Sequence, residues 1–321
     1  MFPTEEVKAL RQFWLLLIGA ALFTTTPTAK AAMTEELKEL KTKWPQHYFA
    51  TAALTLGETH YQDLGKPAQK TVVMVHGVSG PMTAWDETVP FLRSLGYRTI
   101  RYDLYGRGFS ERLDARHDLE LYITQLKDLL DDRKVEFPVI LLGSSFGCVI
   151  ASEFANRYGK NLVKGLVLIG PAGTPIEVPF VAKLRDVPVL GQLLFWVVGK
   201  STIKTQNEKY FVDETKKDSH MPYYEDQLDV DGSATAILST MRNSPVQNYV
   251  AEFQNLGRSE IPVGVIWGRK DVTFPYDNHK TLQQAIPQMK LTTIDNSAHL
   301  PQFERPVQTN AALQLFLDQL P

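Results

Sequence analysis

Three residue types spread along this chain can together cleave an acyl bond: a serine hydroxyl, an imidazole and a carboxylate. The serine stands out first. Phe137 to Arg157 reads FPVILLGSSFGCVIASEFANR, a short apolar strand (Val139 to Leu142), a tight turn and a helix starting near Phe146, with Ser145 at the apex. Gly143 and Gly147 flank the apex two residues away on each side, where side chains would collide in so sharp a bend. The spacing alone occurs by chance in about one chain in ten of this length. A base, an acid and an oxyanion loop must therefore be found elsewhere.

The base is expected beyond a later strand. After the apolar run Leu291 to Ile294 the chain reads Asp295-Asn296-Ser297-Ala298-His299-Leu300-Pro301. His299 can take the Ser145 proton and return it to the leaving group, provided a partner fixes its tautomer. Asp271 is expected to be that partner, just past the strand Val263 to Trp267 in Gly268-Arg269-Lys270-Asp271-Val272. The order Ser, Asp, His is that of strand-end triads following such an elbow. Asp295 is the rival, but it sits at the strand end four residues before His299 and is expected to face away; Asp103 is a more distant third. His47, His60, His117, His220 and His279 are expected to be solvated, and His76 to be structural.

Charge developing on a carbonyl oxygen needs donors. The strand Thr71 to Val75 runs into His76-Gly77-Val78-Ser79-Gly80, where glycines let the backbone turn across the sheet and aim its amides at the site. The N–H groups of Val78 and Phe146 are the expected oxyanion hole. A second Gly-rich loop, Asp103-Leu104-Tyr105-Gly106-Arg107-Gly108-Phe109-Ser110, carries no nucleophile or base and is expected to brace the first. Cys148, among apolar neighbours, reads as a packed residue rather than a reactive thiol.

These groups need a scaffold. Strand-like runs occur at Thr71 to Val75, Thr99 to Tyr102, Val139 to Leu142, Leu166 to Ile169, Val263 to Trp267 and Leu291 to Ile294. Helical patterns lie at Thr83 to Leu95, Leu119 to Arg133, Phe146 to Tyr158, Tyr276 to Ile286 and Val307 to Leu320. Such alternation predicts an α/β fold, a mostly parallel central sheet with helices on both faces and ligands beyond the strands' carboxyl ends. A short helix at Thr34 to Lys43, with its charged residues on a solvated face, and a hairpin turning at Gly57 precede it. The rhythm breaks between Ala172 and Ser259, which predicts a helical cap at residues 172–259 between two core parts, 33–171 and 260–321. The nearly all-apolar stretch Val189 to Val198 either packs in the core or roofs a pocket, and its position after a strand favours the roof.

Composition excludes several partners. The 34 Lys and Arg against 36 Asp and Glu leave a net charge of -2 over 321 residues, with no basic run, so no nucleic acid is expected. Seven histidines without an H-x-x-x-H spacing and a single cysteine predict no metal, and no cofactor is expected. Residues 1–32 stand apart: Lys8 and Arg11 precede the apolar run Phe13 to Phe23, followed by Ala29-Lys30-Ala31. That pattern predicts an export signal, with an uncleaved anchor (membrane association through residues 13–23) or a buried helix as alternatives. The expected location is thus exported or membrane-anchored.

Taken together, HGVSG, DLYGRGFS, GSSFG, WGRKD and AHLPQFERP resemble the α/β-hydrolase fold family over roughly Leu54 to the C-terminus. The resemblance implies Ser145 as nucleophile, Asp271 as acid, His299 as base, and the Val78 and Phe146 amides as oxyanion donors. Two positions depart from it: Cys148 and Ala298 stand where many members carry glycine. Dehalogenases and epoxide hydrolases of this fold use an aspartate nucleophile, and carbon–carbon bond hydrolases commonly carry Asn before the serine and Trp after the histidine, where this chain has Ser144 and Leu300. A serine carboxylesterase or lipase-like enzyme is therefore expected, forming an acyl-enzyme with a small-molecule ester that has an apolar part. The alternatives are a carbon–carbon bond hydrolase, a thioesterase or acyl-carrier methyl-esterase, and a non-catalytic binding protein. The sequence leaves the oligomeric state open.

Overall fold

A computed structural model of the chain describes residues 33–176 and 190–321, with the side chains of 190–198 excepted. The segment 1–32, with its expected signal or anchor, lies outside the described residues. Within them no helix is long and apolar enough to cross a membrane.

The centre is an eight-stranded sheet: β1 (Ala50–Ala53), β2 (Glu58–Leu64), β3 (Thr71–Val75), β4 (Arg98–Tyr102), β5 (Val139–Ser144), β6 (Val163–Ile169), β7 (Val263–Gly268) and β8 (Lys290–Ile294), in spatial order β1-β2-β4-β3-β5-β6-β7-β8. β2 pairs antiparallel with β1 and with β4, and the remaining pairs are parallel. The β1–β2 hairpin turns at Gly57 as its polar-apolar alternation predicts.

The central strands read as unbroken apolar runs because both faces are covered. Successive side chains point to opposite faces, so Val73, Val75, Leu141, Leu166, Leu168 and Val265 enter one core while Val72, Met74, Ile140, Leu142, Val167 and Ile266 enter the other. Register carries the alternation across the sheet: Val73 sits opposite Leu141, Leu141 opposite Leu166, and Leu166 opposite Val263.

Helix α1 (Glu35–Lys43) begins at Thr34, whose hydroxyl accepts from the Leu37 amide at 3.3 Å. Its acids lead and its lysines trail, as suits the helix dipole. α2 (Thr88–Ser94) and α3 (Leu119–Asp132) lie on opposite faces of the sheet, the first through Val89 and Leu92, the second through Leu126, Leu129 and Leu130. The helix expected over Thr83 to Leu95 is broken in two: a 3₁₀ turn at Met82–Trp85 precedes α2. The same happens to the helix expected over Tyr276 to Ile286, which opens with a separate 3₁₀ turn at Tyr276–Asn278.

α4 (Phe146–Leu162) follows the elbow. Between β6 and β7 come α5 (Leu190–Glu208), α6 (Glu214–Asp229), α7 (Ser233–Asn243) and α8 (Val250–Arg258). Of the apolar stretch Val189 to Val198, Leu190 to Val198 open α5, with side chains outside the described residues, and Val189 lies outside them altogether. α8 returns to the sheet: Phe253 and Leu256 join the core that α3 and α4 cover. α9 (His279–Ala285) and α10 (Pro306–Leu317) complete the two layers, Leu282 in the first core and Leu313 and Phe316 in the second.

Candidate active site

Ser145 stands between β5 and α4 with φ 54 and ψ -120, a left-handed conformation that L residues rarely adopt. Its surroundings hold it there. The Ser145 amide donates to Ile169 O at 2.9 Å, and its carbonyl accepts from Cys148 N at 3.0 Å and Ala172 N at 3.2 Å. The glycines on either side make the approach feasible: a Cβ on Gly147 would lie 2.1 Å from Val75 O, and one on Gly143 2.5 Å from Gly147 O. Cys148 is fully buried, its thiol donating to Gly143 O at 3.2 Å, and burial pushes its pKa up. It packs the elbow and is not a reactive thiolate.

His299 and Asp271 meet beyond β8 and β7. The imidazole Nδ1 lies 2.8 Å from Asp271 Oδ2, and both side chains are out of solvent. Asp271 is itself held: Oδ1 accepts from the amides of Thr273 at 2.9 Å and Phe274 at 3.1 Å, and Oδ2 also from Trp267 Nε1 at 3.2 Å. An ionised carboxylate fixes Nδ1 as the donor, which leaves Nε2 as the acceptor. His299 Nε2 has no hydrogen-bond partner among the described residues. The rival carboxylates are engaged elsewhere. Asp295 is exposed and pairs with Arg269 Nε at 2.5 Å, and Asp103 is bonded to His60.

The loop after β3 faces the elbow, with a Gly77 Cβ position 3.1 Å from Ser145 Cβ. His76 is structural as predicted: Nε2 accepts from Leu104 N at 2.9 Å and Nδ1 donates to Gly77 O at 2.8 Å. Burial lowers its pKa to about 4, so it is neutral. The second Gly-rich loop braces the first. Fully buried Arg107 donates to Val78 O at 2.8 Å, Tyr105 O at 2.7 Å, Tyr122 Oη at 2.6 Å and Thr240 Oγ1 at 2.8 Å. Asp103 accepts from His60 Nδ1 at 2.7 Å, Met82 N at 2.8 Å and Phe109 N at 3.0 Å. Burial alone would raise its carboxyl, but His60, His76 and the Met82 amide outweigh that and hold it below its ordinary value.

Three histidines correct the sequence reading. His60, His117 and His220 are buried, not solvated. His60 Nε2 accepts from Phe49 N at 2.9 Å while Nδ1 engages Asp103. His117 Nδ1 lies 3.0 Å from Tyr122 Oη. His220 packs among the rings of Phe211, Phe303 and Tyr224. His47 and His279 are half-buried.

Two further residues at the site were not singled out in the sequence as functional. Glu304 is buried and ties the His299 loop to the start of α6: Oε2 accepts from Ser297 Oγ at 2.8 Å and Ala298 N at 2.7 Å, Oε1 from Val212 N at 2.5 Å and Asp213 N at 2.7 Å. Gln302 Nε2 donates to Ser144 Oγ at 3.0 Å, linking that loop to the elbow. Only the AHLPQFERP stretch hinted at either.

Two cavities meet at Val78, Ser79, Ser145 and Tyr210. The larger, about 620 Å³, is lined by Ile203, Ile237 and Met241 from inserted helices and by Ile176, Val246 and Phe274 from loops above the sheet. The smaller, about 20 Å³, is bounded by Asn207, His220, His299 and Leu300. Ser145, His299 and Val78 thus border one space. Among the described residues no cluster of three or more His, Cys, Asp or Glu side chains is arranged to hold a metal.

A mostly parallel sheet covered on both faces, with a strained serine at the β5–α4 elbow and a histidine–aspartate pair on the loops after β8 and β7, defines an α/β-hydrolase architecture. A family model described as "alpha/beta hydrolase fold" matches residues 70–306, and the chain belongs to that family. An uncharacterized protein of Mycobacterium tuberculosis is 24% identical over 268 residues, covering 77% of this chain and 75% of its own. Among solved structures, a bromoperoxidase from Bacillus anthracis shares 21% identity at a TM-score of 0.69, covering 84% of this chain and 100% of its own. An esterase from Exiguobacterium antarcticum shares 19% at 0.69, with 84% and 99% covered.

Proposed function

We propose that the protein is a serine hydrolase of carboxylic esters. The observation that carries the reading is the His299 imidazole, anchored to Asp271 through Nδ1, with Nε2 unpartnered among the described residues in the space that Ser145 borders. In this reading His299 Nε2 takes the Ser145 proton as Oγ attacks the ester carbonyl. The amides of Val78 and Phe146 receive the developing oxyanion, and Asp271 stabilises the imidazolium. Proton return expels the alcohol and leaves an acyl-enzyme, which water then hydrolyses. The apolar lining of the larger cavity suits a substrate with an apolar acyl or alcohol part. We also propose that residues 1–32 direct export or anchor the chain through residues 13–23; fractionation of cells making the full chain tests that.

The test of function is labelling with a serine-directed phosphonate, beside hydrolysis of p-nitrophenyl esters from acetate to palmitate and of a vinylogous diketone. Labelling at Ser145 with a chain-length optimum supports the reading. Diketone cleavage with feeble ester turnover would replace it with carbon–carbon bond hydrolysis, and silence in all assays would leave a binding protein.

A further inference from the structure

The smaller cavity differs in character from the larger. It has room for about one water molecule. Yet Asn207 Oδ1 and His220 Nε2, on two residues bounding it, are both buried without a hydrogen-bond partner among the described residues, as is His299 Nε2. Such groups cost free energy unless something in the space satisfies them. Their orientation is built in. Asn207 Nδ2 donates to Ser79 Oγ at 2.9 Å, which turns Oδ1 away from that contact. His220 is held by rings on three sides, with centroids 5.2 Å from Phe211, 5.1 Å from Phe303 and 5.8 Å from Tyr224. Burial lowers its pKa to about 4 and keeps it neutral, able to donate or accept one hydrogen bond without adding charge beside His299.

We infer that this cavity is the station of the hydrolytic water, held by Asn207 and His220 of the inserted helices against His299 Nε2. The inference rests on the ester-hydrolase reading and assigns a second-step role that reading leaves open. Once the acyl group is on Ser145 and the alcohol has left, Asn207 Oδ1 accepts one water hydrogen and His220 Nε2 fixes the oxygen's direction. His299 Nε2 removes the other proton as the oxygen bonds the acyl carbon. Collapse of the tetrahedral adduct breaks the bond from that carbon to Ser145 Oγ, and the proton passes from His299 to Oγ, releasing the acid.

Acylation and deacylation separate the idea from a structural role. Single-turnover mixing of the full chain with p-nitrophenyl acetate reads nitrophenol release as acylation, and loss of the acetyl adduct by intact-protein mass spectrometry as deacylation. Asn207→Leu and, independently, His220→Phe should each slow adduct loss about tenfold, the scale of one good hydrogen bond, and leave nitrophenol release within about twofold. His220→Gln, which restores a side chain able to hydrogen-bond, should recover part of the loss. Equal slowing of both steps, or unchanged adduct loss in whichever variant folds, overturns the inference while the serine-hydrolase reading stands. An unmodified protein that forms no adduct and takes no phosphonate overturns both.

Discussion

His299 Nδ1 and Asp271 Oδ2 lie 2.8 Å apart with both side chains excluded from solvent, and the carboxylate also accepts from two backbone amides and the Trp267 indole. A charge so fully satisfied cannot rotate away, and neither can the imidazole it holds. Asp271→Asn keeps the shape and removes the charge that, in the proposed mechanism, stabilises the imidazolium. Ester turnover should fall about 10³- to 10⁴-fold with thermal stability little changed, as steady-state rates and melting curves would show.

Ser145→Ala should leave the fold intact and cut turnover about a millionfold. Because alanine dislikes positive φ as serine does, the melting temperature should stay within a few degrees. Retention of most esterase activity would exclude Ser145 as nucleophile.

Gly147 permits the close contact of α4 with β3. A methyl group there would meet Val75 O at 2.1 Å and His76 O at 2.7 Å, both backbone atoms that cannot step aside. Gly147→Ala should destabilise the protein by about 3 kcal/mol or more, measured by urea unfolding.

Arg107 joins the Val78 carbonyl to Thr240 on α7 through a planar fork that lysine cannot copy. Arg107→Lys should leave some of four buried acceptors unmet, cost about 2 kcal/mol, and lower turnover by loosening the loop that carries the Val78 amide. Loss of stability with no loss of turnover would show that the loop keeps its geometry without Arg107.

Burial lowers the pKa of His76, His117 and His220 to about 4, against about 6.5 in an unfolded chain. Between those values the unfolded state binds more protons, so stability is complete above pH 6.5 and declines as pH falls toward 4. For fully buried His76 and His220 the ceiling is about 3 kcal/mol each. Denaturant unfolding between pH 7.5 and 4.5 should show the decline, and His220→Phe should flatten it.

What the sequence disclosed and what it hid follow from the range of the interactions. The parallel strands were legible because two-sided burial writes Val, Ile and Leu at consecutive positions, and Ser145 because only glycines tolerate contacts such as that of Gly147 with Val75. Asp271 and His299 could be placed at strand ends by chain order, 28 residues apart yet in contact. The buried histidines were misread because polar neighbours in sequence say nothing of what packs from afar: His60 finds Asp103 across 43 positions, and His220 finds Phe303. Asn207 and Gln302 escaped notice for the same reason. Nothing local distinguishes an amide that meets Ser79 or Ser144 from one in water.

Helix α1 has a consequence that only the direction of synthesis brings out. Leu37 and Leu40 bury against Tyr223 and Val230, and Trp44 Nε1 donates to Asp226 at 2.6 Å, a partner 182 positions later. A ribosome releases α1 long before α6 exists. The packing of α1 is therefore completed only after α6 has been made, late in translation although the helix itself is made early.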